Sequence, residues 1–196
     1  MRNVLPLLFG ALVALSLIGC TSEPEAIDDL SDTTFDLVNH EGESVAVPDD
    51  LKGRVVVMGF IYTNCPDFCQ MLTANMRNTH DALETTDDVE FVSVTFDPER
   101  DTPEVMKDYR EAYRVDDRSW QFLTGDVETI DAFMERMNIG HEIADESEAE
   151  GDDYIINHSD VIALIDEEGR VREIHNGSRT PVDIFVEDIT ALQDEI

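Results

Sequence analysis

The run Val55-Val56-Val57-Met58-Gly59-Phe60-Ile61 constrains this chain most strongly. It is far too short to cross a bilayer and does not alternate, so it predicts a strand covered on both faces. Such a strand belongs in the middle of a sheet with helices above and below it. Its surroundings agree. Residues Cys69 to Leu83 read as a helix, and Val89-Glu90-Phe91-Val92-Ser93-Val94-Thr95-Phe96 reads as a second strand, which predicts a parallel pair joined by a right-handed crossover.

Punctuation divides the rest. Phe35 to Val38 and His40 to Val45 form a predicted hairpin turning at Glu41-Gly42. Asp101-Thr102-Pro103-Glu104 starts a helix, with Asp or Thr as cap and Pro in the first turn, that runs to about Tyr113. Trp120 to Thr124 is short and extended, and Asp126 to Met137 is the next helix. After the acidic loop Glu142–Asp153 come extended segments Tyr154–His158 and Asp160–Ile165, a turn at Glu167–Arg170 into Val171–His175, and a closing helix from Pro181 to Leu192. No internal repeat is present. The fold class expected is α/β, a central mixed sheet flanked by helices, with an N-terminal β-hairpin.

The amino terminus reads as a targeting segment. Arg2 precedes an apolar stretch, Val4 to Leu17, too short for a comfortable span, and Leu17-Ile18-Gly19-Cys20 has the form of a lipobox. On this reading residues 1–19 are a lipoprotein signal peptide, Cys20 is lipidated, residues 20–30 form an acidic tether, and 31–196 are the folded domain. A plain signal peptide or short uncleaved anchor is the alternative; all three place the domain outside the cytoplasm, and the lipoprotein reading anchors it by lipid on the extracytoplasmic face of the cell membrane.

Charge excludes one function class. With 45 Asp+Glu against 13 Lys+Arg the net charge is −32, which repels nucleic acid and anionic lipid. The acids are spread along the whole chain, as expected of a protein from an extreme halophile, where salt screens self-repulsion.

The chemistry sits where the buried strand ends, at Thr63-Asn64-Cys65-Pro66-Asp67-Phe68-Cys69. If lipid takes Cys20, Cys65 and Cys69 are the remaining thiols, and a bridge closing so small a loop would restrain the unfolded chain little. Pro66 suits a first helical turn, which would put Cys65 near the cap and Cys69 one turn on, on the same helix face. The helix N-terminus favours thiolates. A pair of this kind can bind a soft ion, Cu(I) above all and also Zn(II), or cycle through a disulfide.

Two thiolates leave a metal short of ligands. Of five histidines, His158 ends an apolar extended segment just before a second one and is the candidate third ligand; a hydrogen-bonded turn histidine is the equal alternative. His40, His80, His141 and His175 lie in polar contexts that read as exposed, with His141 the substitute. Met71 and Met76 could supply thioethers but read as packing. The carboxylates of Asp97-Pro98-Glu99-Arg100-Asp101 could orient the site or offer an auxiliary hard-metal site, but the run reads as turn and cap chemistry at a strand end in preference to metal binding.

These residues carry a family resemblance. Gly59 to Cys69, Val92 to Pro103, Leu123-Thr124-Gly125 and Asp153 to His158 followed by Leu164 to Gly169 occur in the order seen in the Sco/SenC copper proteins, and the chain resembles that family from about Ser31 to its end. The resemblance implies a thioredoxin-like fold and copper, Cu(I) or Cu(II), held by Cys65, Cys69 and His158. It implies copper delivery to, or thiol maintenance of, the binuclear copper centre of cytochrome c oxidase, with the oxidase's copper-bearing subunit or another copper carrier as partner. Two positions depart from the family pattern: Gln70 stands where Pro is common, and Asn157 where Asp is common. The rival reading is a thiol–disulfide oxidoreductase or peroxidase-like enzyme, with Cys65 as nucleophile and Cys69 resolving; the three intervening residues count against it, since reductases of this fold use CxxC.

Overall fold

The computed structural model describes residues 26–115, 118–144 and 154–196. Its eight-stranded sheet has the order β1-β10-β9-β4-β5-β6-β2-β3. The predicted central strand is β4 (Val55–Ile61), and every one of its residues is buried. It lies parallel to β5 (Val89–Thr95), which lies parallel to β6 (Trp120–Thr124). On its other side β4 runs antiparallel to β9 (Val161–Ile165), which pairs with β10 (Arg170–Asn176). The hairpin β2 (Phe35–Asn39) and β3 (Ser44–Val47) closes the far edge through β6.

The alternation of side chains along β4 explains why helices sit on both faces. Gly59 faces α1 (Phe68–Ala82) so closely that a Cβ there would lie 2.6 Å from Met76 Sδ and 2.9 Å from Leu72 Cδ2. Phe60 points to the opposite face, where its ring meets Phe133 of α3 (Val127–Arg136) at 6.4 Å. On the α1 face, Thr73 Oγ1 lies 3.0 Å from Tyr109 Oη of α2 (Pro103–Ala112). The last helix, α4 (Val182–Gln193), packs against α1 and β4. Thr102 and Asp126 cap α2 and α3 by accepting the backbone N–H of Val105 and Thr129.

Three differences from the sequence reading matter. Asp28–Asp29, inside the stretch read as tether, form β1 against Val171 and Arg170, and the next residue, Leu30, is in the core. Ile27 and Leu30 are scattered among acids without the alternation of a strand, so the sequence does not announce Leu30 as core. The second difference is β7 (His141–Ile143), which pairs with β8 (Ile156–His158) in a sheet of their own; the beginning of the expected acidic loop is therefore a strand, while residues 145–153 lie outside the described residues. Third, the four side histidines are not exposed. His40 is buried with its Nδ1 accepting from the Phe122 N–H, and His80 and His175 cover the rings of Phe91 and Phe185. An imidazole capping the rim of an aromatic core looks polar only in sequence.

Candidate metal centre

The site lies at the C-terminal end of β4. The chain leaves the sheet at Tyr62, turns as the Cys65 N–H donates to the Tyr62 carbonyl, and enters α1 at Phe68. Cys65 is thus ahead of the helix and only Cys69 is in it, so a shared helix face is not what brings them together. The loop folds Cys65 back over the helix start, where the N–H groups of Asp67 and Cys69 point at its sulfur. Both cysteines are buried, Cys65 at 5% exposure and Cys69 at 0%. They are free thiols.

His158 arrives from β8. Its Nε2 is 3.8 Å from Cys65 Sγ and 3.5 Å from Cys69 Sγ. Its Nδ1 is 2.9 Å from the Ser159 carbonyl oxygen. A carbonyl can only accept, so Nδ1 carries a proton; in the neutral form of the ring, Nε2 then has its lone pair aimed at the sulfurs, the arrangement a metal-ligating histidine uses. Phe96 supports the ring face at 4.7 Å and Tyr62 meets it edge-on at 5.8 Å. His141 lies directly opposite on β7 but turns its Nε2 to Asp131 at 3.2 Å, so the substitute histidine is not brought to the thiols. Met76 is core and Met71 is half exposed.

The thiols share one proton. The Cys69 thiol donates to the Cys65 sulfur, which holds Cys65 far below the usual thiol range despite its burial, and Cys69 is pushed far up by that same bond and by burial. Burial opposes a charge on His158, yet the bonds with Cys65 and the Ser159 carbonyl outweigh it and raise its pKa.

Asp101 is the supporting residue that sequence reasoning undervalued. Its fully buried carboxylate accepts from the Thr63 N–H at 3.0 Å, the Thr63 hydroxyl, and the Thr95 hydroxyl at 2.6 Å. It therefore fixes the loop two residues before Cys65, although its position at a helix start resembles a cap. Burial raises its pKa against the lowering effect of the two threonines. A usable signal existed: parallel β4 and β5 must end side by side, so the residues after each meet.

The three ligand atoms lie within 4.8 Å of one another, the one such group among the described residues. Bonds of about 2.3 Å to sulfur and about 2.0 Å to nitrogen require a sulfur–nitrogen separation of roughly 3.5 Å at a tetrahedral angle and 3.7 Å at a trigonal one. The observed separations match that range, and two thiolates with one imidazole suit a soft ion.

The sequence matches the SCO1/SenC family over residues 23–193. This chain belongs to the SCO1/SenC family. The SCO1 protein homolog of Bacillus subtilis is 31% identical over 157 residues, which are 79% of either chain. The solved SCO1/SenC family lipoprotein of Bacillus anthracis is 32% identical with a TM-score of 0.71, covering 82% of this chain and 94% of that one. The copper-bound ScoI of Bradyrhizobium japonicum is 25% identical with a TM-score of 0.64, covering 82% and 98%. The mixed sheet with helices on both faces is accordingly the thioredoxin-like fold of these SCO1/SenC proteins. Among the described residues of this family member, no helix is long and apolar enough to cross a membrane.

Proposed function

We propose that the chain is a lipid-anchored, extracytoplasmic copper carrier serving assembly of the binuclear copper centre of cytochrome c oxidase, with copper as cargo held by Cys65, Cys69 and His158. The observation that carries this reading is the aim of the His158 Nε2 lone pair at two buried sulfurs from the strand β8. Copper-bound ScoI supports the choice of metal, and the lipoprotein relative supports lipid at Cys20. The oxidase follows from the family resemblance. Loading displaces the proton shared by the thiols, and unloading proceeds by exchange with a partner's thiols. A lipid at Cys20 would hold the carrier beside a membrane oxidase and raise its effective concentration there.

The experiment is a titration of the reduced domain with Cu(I) against a competing chelator. Wild type is expected to bind one ion, Cys65→Ser and Cys69→Ser to lose binding, and His158→Ala to bind more weakly. Equal binding without His158, or none in wild type, sinks the three-ligand site.

One observation favours a companion activity. Cys65 is held as thiolate with the Cys69 thiol against it. Attack by Cys65 on a partner disulfide would release one partner thiolate, and Cys69 would then displace the second and leave a Cys65–Cys69 disulfide. Rapid reduction of a protein disulfide in a stopped-flow exchange assay is the expected outcome; exchange no faster than with free dithiol removes this reading.

A further inference from the structure

His158 is the one ligand that comes from neither the β4–α1 loop nor the first turn of α1, and its strand β8 is not part of the central sheet. Something must hold that strand at the right depth. On the C-terminal side the Ser159 N–H donates to the Gly140 carbonyl at 2.9 Å and the Gly140 N–H to the Ser159 hydroxyl at 3.1 Å. Both bonds tie the pair β7–β8 to itself, and on this side the chain is also anchored to the central sheet, since Asp160 accepts from the Ser178 N–H and hydroxyl and β9 begins at Val161.

The N-terminal side is tied to the sheet. Arg100 lies with its guanidinium 3.6 Å over the Tyr154 ring and 5.6 Å from the Tyr62 ring, between the aromatic of the incoming strand and the aromatic that ends β4. Arg100 also donates to the Tyr154 carbonyl at 2.9 Å and to Asp97. Tyr154 Oη donates to Asp97 Oδ1 at 2.6 Å, and the Ile156 N–H donates to Tyr62 Oη at 3.3 Å. Tyr62 in turn meets the His158 ring. The contacts form a closed path: Tyr62 to Arg100 to Tyr154 along β8 to His158 and back to Tyr62. Mainly rigid or charge-assisted contacts make it up, and each is stronger for being largely out of water.

We propose that Arg100 and Tyr154 are positioning residues for the third ligand, a clamp that sets how far the His158 imidazole reaches towards Cys65 and Cys69. A clamp for fold stability alone has no need of a guanidinium stacked on the strand that leads to the ligand. The surface-facing charge pair of Arg118 and Asp81, by comparison, sits on helix and loop and serves no ligand. Release of the clamp leaves the two thiolates in place and frees the imidazole, so the carrier would keep its dithiolate and lose control of its third bond. The inference rests on His158 being a ligand, and its test has one arm that needs no metal.

Tyr154→Phe removes only the bond to Asp97, Arg100→Lys keeps the charge but loses the planar stack, and Arg100→Ala removes both. In the metal-free arm, the His158 imidazole is followed by nitrogen–proton NMR alongside the amides of β4 and β5 as a control for folding. Wild type is expected to give one set of ring signals. Arg100→Ala is expected to give shifted or doubled ring signals with the sheet amides unmoved, and Tyr154→Phe a smaller change in the same direction. In the copper arm, the Cu(II) electron paramagnetic resonance of Arg100→Ala is expected to lose nitrogen coupling as His158→Ala does, while Cu(I) affinity falls about tenfold for Tyr154→Phe. Ring signals identical to wild type in folded Arg100→Ala overturn the clamp whatever the copper results. If wild type binds no copper, the proposed function fails and the NMR arm still decides the clamp. Should Arg100→Ala unfold, Arg100→Lys and Tyr154→Phe give the same reading, and unchanged ring signals in both of those variants overturn it.

Discussion

Loading with copper is predicted to release a counted number of protons, and the count follows from the shared proton between the thiols. In the metal-free protein the Cys69 thiol donates to the Cys65 thiolate, so the pair carries about one proton across neutral and mildly alkaline pH. In the loaded protein both sulfurs are thiolates and the pair carries none. The sign follows directly: the free form binds more protons, so affinity rises with pH. At pH 9, with His158 neutral, about one proton leaves per Cu(I), and affinity rises about tenfold, or 1.4 kcal/mol, per pH unit. His158 has a pKa above its ordinary value of 6.5, so below that pKa the metal must also displace a ring proton. The count then moves towards two and the slope doubles. A pH-stat reading during anaerobic addition of Cu(I) in acetonitrile measures this at pH 9 and pH 6. In His158→Ala, two protons at pH 6 would mean that both thiols are ordinary in the free protein, and none at either pH would mean that no proton bridges them. Either result refutes the reasoning. His158→Ala should release about one proton at both values, which isolates the ring.

Gly59→Ala should destabilise the domain by about 1–3 kcal/mol in urea denaturation, because its Cβ would fall 2.6 Å from Met76 Sδ, and Met76→Ala in the same chain should return part of the loss. Asp166 is buried, and the Arg170 N–H together with the Arg172 and Arg170 guanidinium groups hold its pKa below 3.8 against burial, so its stabilisation is present above that value and lost as pH falls through the folded pKa. Asp166→Asn should therefore cost about 2 kcal/mol at pH 7 and progressively less as the pH is taken below 3.8, read from denaturation midpoints along that series. With a net charge of −32, the melting temperature should rise steadily from 0.1 M to 2 M KCl; a fall would contradict adaptation to high salt.

What the sequence made legible was whatever is periodic or local. Val55 to Ile61 announces its double-sided burial by being apolar throughout, and the cysteines advertise themselves by type and spacing. The hairpin at Glu41-Gly42 and the starts of α2 and α3 follow from turn and cap chemistry. What escaped depends on tertiary contact. Asp101 reads as a cap because its partners Thr63 and Thr95 are distant in sequence or on another strand. Cys65 was placed on the helix because Pro66 suits a first turn, but the chain turns once more before α1 begins. His158 could be named as a candidate, yet the contacts that place it, from Phe96, Tyr62 and Arg100, join three separate stretches of chain. Leu30 is buried yet stands with Ile27 among acids in no strand or helix pattern, so nothing in the sequence marks it as core.

The short strand β1 marks where the described chain enters the sheet. Asp28 lies level with Val171, which lies level with Ile165, which lies level with Val56 near the beginning of β4. The cysteines follow Ile61, five residues further along that strand, or about 17 Å away at about 3.3 Å per residue. The chain therefore joins the sheet at one pole and gathers its thiols at the other. A domain tethered this way would be oriented by its attachment, with its cargo turned outward to meet a partner.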